Sequence, residues 1–122
     1  MMNWETRGVF VTFAGHVDAQ QVESATCEMY NHKRFDDIEY FIWDATQIKS
    51  LDMTQDDTEI IAYTDNVASS YKHRLKGAFI ANDPEVCEVV RQYIELSIAI
   101  GNPWEHGLFI DEINARNWVA SS

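Results

Sequence analysis

Tyr40-Phe41-Ile42-Trp43 is apolar or aromatic at four successive positions, inside a segment that reads as a strand from Ile38 to Ala45. Neighbouring side chains of a strand point to opposite faces, so a strand with one wet face alternates apolar and polar residues. A run without alternation needs cover on both faces, which is the position of a central strand in a layered α/β protein. The rest of the chain must therefore supply helices to cover it.

The helix starts are marked by caps. Asp18 can accept from the free N–H groups of a first turn, and Gln21 stands where a capping box needs it. A helix is expected over about Ala19–Asn31, with Val22, Ala25, Thr26, Met29 and Tyr30 as its inner stripe. Thr54 is the next cap, followed by Asp56 and Asp57, which the helix dipole favours. This second helix should end near Ser70 and turn Ile60, Ile61, Thr64, Val67, Ala68 and Tyr71 inward. Asp83-Pro84 is a cap followed by proline at the first helical position, and Gly101 and Pro103 mark the stop. Val86, Val89, Val90, Tyr93, Ile94 and Ser97 give that third helix its buried face. Asp111 caps a last helix anchored by Ile113 and Trp118.

Between the helices lie further strands. Met2–Thr6 and Gly8–Ala14 form a hairpin around Arg7-Gly8, Leu75–Ala81 is a later strand, and Gly107–Ile110 is the last. Thr46–Asp52 reads as irregular. Strands alternating with helices predict an α/β fold with a mostly parallel sheet of about five strands, an N-terminal hairpin and four helices. The 122 residues are expected to form a single domain, 1–122.

Charge narrows the partners. Twenty acidic and nine basic residues give a formal net charge of -11. Such a field repels phosphate backbones and anionic membrane surfaces, so no nucleic acid is expected as a partner. A basic protein partner is compatible with it. No stable membrane insertion is expected, since the best apolar stretch, Ile94–Ile100, is short and interrupted by Glu95 and Ser97. The start, Met1-Met2-Asn3-Trp4-Glu5, lacks the pattern of a signal peptide, and Cys27 and Cys87 make no disulfide framework. A reduced, cytoplasmic setting is the simplest expectation.

The element order resembles the STAS domain, the fold of bacterial anti-sigma-factor antagonists. Members of that family have a central strand ending in aspartate, then a loop with a second aspartate and two hydroxyl residues at a helix start. Here the strand end is Trp43-Asp44-Ala45-Thr46 and the loop is Ile48-Lys49-Ser50-Leu51-Asp52-Met53-Thr54. The end of the chain, Phe109-Ile110-Asp111 with Ala115 and Trp118-Val119, is similar to the SpoIIAA-like branch related to STAS and CRAL-TRIO domains. The resemblance implies a partner-binding or switch loop formed by Asp44, Thr46, Ser50, Asp52 and Thr54. The chain departs from the pattern at Met53, where the first switch hydroxyl should stand, and at Gln55, where the family has glycine.

Each constellation also has a plainer account. Thr54 at a helix start suits phosphorylation or anion contact, but it also suits an ordinary cap, and Asp52, Asp56 and Asp57 would repel a phosphate. Those acids lack the spacing and the glycine of a calcium loop, so no metal is expected. Tyr71-Lys72-His73-Arg74-Leu75-Lys76 is the only basic run, and cations after a helix complement its dipole. His16 and Asp18 fall at the strand end where open α/β sheets bind ligands. His16, with Trp104 in the loop after Asn102-Pro103, is the candidate ligand-binding pair. Cys27 and Cys87 are expected as small hydrophobes beside helix faces. With no nucleophile elbow, P-loop or dinucleotide fingerprint, neither catalysis nor a cofactor is expected. The reading is a non-catalytic interaction module that self-associates, as a homodimer, or holds a protein partner. The alternative is a carrier of a small apolar ligand or lipid, which requires a connected apolar cavity.

Overall fold

Aromatic and β-branched residues place Val9–Phe13 and Tyr40–Trp43 side by side at the centre of one sheet. The computed structural model describes residues 1–121; Ser122, the last residue of the expected domain, lies outside the described residues. The chain order is β1 (Met2–Trp4), β2 (Gly8–Asp18), α1 (Ala19–Asn31), β3 (Tyr40–Asp52), α2 (Gln55–Ser69), β4 (Lys76–Ile80), α3 (Pro84–Ala99), β5 (Glu105–Phe109) and α4 (Glu112–Ala120). A 3₁₀ turn, Phe35–Asp37, precedes β3. The five strands lie in the order β1-β2-β3-β4-β5, with β1 antiparallel to β2 and every later pair parallel. The expected α/β architecture is therefore present.

Strands added one after another in the same direction send their crossover helices to one face of the sheet. Val9, Val11, Phe41 and Phe79 of the sheet pack there with Val22 and Met29 of α1, Ile61 and Ala62 of α2, and Val90 and Tyr93 of α3. Ile42, Ala78 and Ile80 point the other way and meet Ala115 of α4. This explains the unbroken apolar run: Phe41 serves one layer and Ile42 the other.

All four expected caps form. Asp18 and Thr54 each make a full capping box, with Gln21 and Asp57 as the reciprocal partners. Asp83 accepts from the N–H groups of Glu85 and Val86, and Asp111 from that of Asn114. α3 ends ahead of Gly101, whose φ of +84° is the left-handed conformation that glycine adopts without strain.

Four expectations are corrected. Thr46–Asp52 is not a loop: β2 and β3 both run far past the end of β4 as a two-stranded parallel ribbon. Two register irregularities, between Thr12 and Ala14 and between Gly15 and His16, break the alternation that would have revealed it. α2 is rotated from its expected phase, burying Thr58, Ile61, Ala62, Asp65 and Ser69 while Ile60, Val67 and the following Tyr71 face solvent. Ile113 is exposed, and Ala115 is the buried residue of α4, with Trp118 packed beside it. Cys27 is exposed, whereas Cys87 is buried as expected.

Candidate functional site

The layer between the sheet and α1, α2 and α3 is not filled. It holds a partly open cavity of about 80 Å³, lined by seventeen residues that include Phe13, Met29, Phe41, Trp43, Ile61, Phe79, Val90 and Tyr93. A water needs roughly 10–15 Å³ of comparable space, so this volume exceeds a single solvent site. The deep walls, such as Met29, Phe41 and Ile61, are buried. Towards the carboxyl ends of the strands the lining is Ala45, Ile48, Leu51, Met53 and Val89, all half-buried apolar residues. Four of these five belong to the ribbon end of β3 and the turn after it, so the strand extension builds the rim.

Two local causes keep the space open. Gly77 faces Phe41 across the β3–β4 register. A Cβ on Gly77 would lie 2.2 Å from the Phe41 ring. The missing side chain leaves room for the tip of that ring over the neighbouring strand. Phe41, Trp43, Phe79 and Tyr93 then form an aromatic wall, with ring centroids 5.8 Å apart for Phe41–Trp43 and 5.5 Å apart for Phe79–Tyr93. Rigid rings in tilted and edge-on contact do not collapse into a void as flexible aliphatic chains do.

Asp65 and Thr58, the polar side chains in the cavity wall other than the Tyr93 hydroxyl and the Trp43 indole N–H, both have hydrogen-bond partners. Asp65, which is 6% exposed, accepts hydrogen bonds from the hydroxyls of Tyr30 and Tyr93, one on each carboxylate oxygen. The Tyr93 hydroxyl also lies 3.3 Å from His106 Nε2. Burial raises Asp65 to about 6, opposed by its two tyrosine donors. Burial lowers His106 to about 4, so its ring is neutral at neutral pH. Burial, then the Asp65 charge, holds both tyrosines well above the usual phenol range, as donors. Thr58 donates to the Thr54 carbonyl at 3.2 Å. Trp43, a lining residue, keeps a buried Nε1–H without a partner.

The residues expected as a switch loop lie elsewhere. Asp44, Thr46, Ser50 and Asp52 are on β3 and Thr54 is the cap of α2. Asp44 accepts from both the backbone N–H and the hydroxyl of Thr46, at 2.9 and 2.7 Å. Ser50 pairs with His16 across the ribbon, with Oγ 2.6 Å from Nδ1. Both are exposed, and neither His16 nor any of the five switch candidates lines the cavity. Trp104 does not line the cavity either: it is only 5% exposed, packs in the main core and donates its indole N–H to the Lys72 carbonyl at 2.6 Å. Asp65 was missed because a lone aspartate within a helix gives no sign of facing inward. Among the described residues there is no cluster of three or more histidine, cysteine or acidic side chains able to hold a metal ion. No helix among them is long and apolar enough to cross a membrane.

No family model matches the sequence, and no curated protein matches it. Among solved structures, the chain is similar to an uncharacterized protein of the DUF3478 family with a SpoIIAA-like fold, from Shewanella loihica PV-4. The two share 13% identity with a TM-score of 0.58, over 98% of this chain and 91% of that one. Likeness at that identity speaks for the fold: this chain has a SpoIIAA-like α/β fold.

Proposed function

We propose that this chain is a non-catalytic binding domain that holds a small apolar molecule between its sheet and helices α1–α3. The cavity carries the reading: about 80 Å³ of interior space with an apolar lining and a half-buried apolar rim. Apolar interior space excludes water and gives an apolar guest the surface it lacks in solvent. The only carboxylate in the wall has both oxygens occupied by tyrosine hydroxyls, so it attracts no cation. The space is smaller than the roughly 150 Å³ of an apolar cavity that holds benzene, so a ring or an acyl chain enters as the helices part or through the open rim.

The interaction-module reading draws less support, since the expected switch loop is a paired strand and Thr54 is spent on its cap. Native mass spectrometry beside a denaturing run tests the proposal. After incubation with a mixture of small aromatic and short-chain apolar compounds, the protein should carry added mass that denaturation removes. Ala45→Phe, which fills the rim, should carry none. A wild-type protein that stays at its bare mass with every compound overturns the reading.

A further inference from the structure

The phase of α2 leaves a second feature, independent of the cavity. Ile60, Tyr63 and Val67 are 53%, 53% and 64% exposed on the helix, and Tyr71 just beyond it is 88% exposed. Their spacing of three to four residues places the helical members on one face, opposite Thr58, Ile61, Ala62 and Asp65. Single exposed apolar residues are ordinary, but an aligned row of large ones marks a contact surface.

The charges beside this row show what fits it. Asp56, Asp57 and Glu59 stand at the amino end of α2, and Lys72, His73 and Arg74 follow its carboxyl end. Parallel pairing with another copy would set acid against acid. Antiparallel pairing about a twofold axis lays the two apolar rows against each other and brings the acidic amino end of each α2, Asp56 first, towards the exposed His73 and Arg74 after the carboxyl end of the other, while Lys72 is turned to the Asp36 carbonyl at 3.1 Å. The same pairing that closes the apolar row joins opposite charges at both ends, which is the self-complementarity an isologous interface requires. It does so in a chain of net charge -11, whose copies otherwise repel. We propose that the outer face of α2 is a homodimer interface in which two copies pair antiparallel.

Sedimentation equilibrium over a concentration series tests this, with circular dichroism confirming that each variant folds. The wild type should dimerise, and Val67→Asp, at an exposed position, should weaken the dimer at least about tenfold. Asp56→Lys and Arg74→Glu should each weaken it when alone, and an equimolar mixture of the two should recover it. The single variants separate the two pairings, since in a parallel pair each would still set like charge against like, as the wild type does, and would not weaken the dimer. A monomeric wild type, a dimer indifferent to Val67→Asp, or no recovery in the mixture overturns the proposal. A wild type that stays monomeric but binds a basic amphipathic peptide on this face also overturns it.

Discussion

Asp65 carries the sharpest chemistry in the molecule. Its carboxylate sits beside an apolar cavity with two phenol donors, and burial still raises it to about 6. A raised folded-state value means that protonation favours folding. The gain, up to about 3 kcal/mol, is complete below the unfolded value near 4 and is lost as pH rises through about 6. His106 works in the opposite sense. Its folded value is lowered to about 4, so its contribution is present above about 6.5 and is lost as pH falls towards 4. The two effects oppose each other between about pH 4 and 6.5. Asp65→Asn removes the acid half and leaves that of His106. Urea midpoints of this variant should therefore fall more steeply on acidification than those of the wild type. Parallel slopes would show that Asp65 is not perturbed.

Element boundaries were legible where caps state them. Asp18, Thr54, Asp83 and Asp111 begin their helices where the sequence reading puts them, because a cap is a local bond between a side chain and the next turn. Thr54→Ala should accordingly cost about 1 kcal/mol of stability and leave ligand uptake unchanged, as denaturant melts beside mass spectra will show. Loss of uptake at unchanged stability would restore Thr54 as a site residue. The ribbon was not legible: Thr46–Asp52 is mostly polar, and its strand character comes from pairing with Ala14–Asp18 around two irregularities. The phase of α2 misled for another reason. The large residues Ile60, Tyr63 and Val67, with Tyr71 just beyond the helix, face outward, while the buried side mixes Ile61 and Ala62 with Thr58, Asp65 and Ser69. Periodicity finds an apolar face but does not say which surface covers it. At the β3–β4 register, Gly77→Ala should drive the Phe41 ring off its seat and cost about 1–3 kcal/mol, read from the same melts. An unchanged midpoint would mean the ring does not depend on that glycine.

On the scale of the whole molecule, three helices on one face and one on the other give the two layers different tasks. The α4 face closes on small residues, Ala78 and Ala115, and is tied to the N-terminal hairpin by Arg116. Its guanidinium donates to both Glu5 oxygens, at 3.0 and 2.8 Å. The opposite face carries large rings, Phe41 over Gly77 among them, and leaves space. Sequence reading gave the element order and layers, because those follow from patterns within single segments. The cavity was not legible, since it arises where α1, α2, α3 and the β3 extension meet, and no single segment records it. The central claim is that this space binds apolar molecules specifically. The most direct measurement is a toluene titration followed by ¹H–¹⁵N correlation spectra of the wild type and Ala45→Phe. The account predicts saturable shifts at the amides of Trp43, Ile61, Asp65 and Val90 in the wild type, and their loss in the filled variant. No saturable shifts in the wild type, or the same shifts in both proteins, would contradict it.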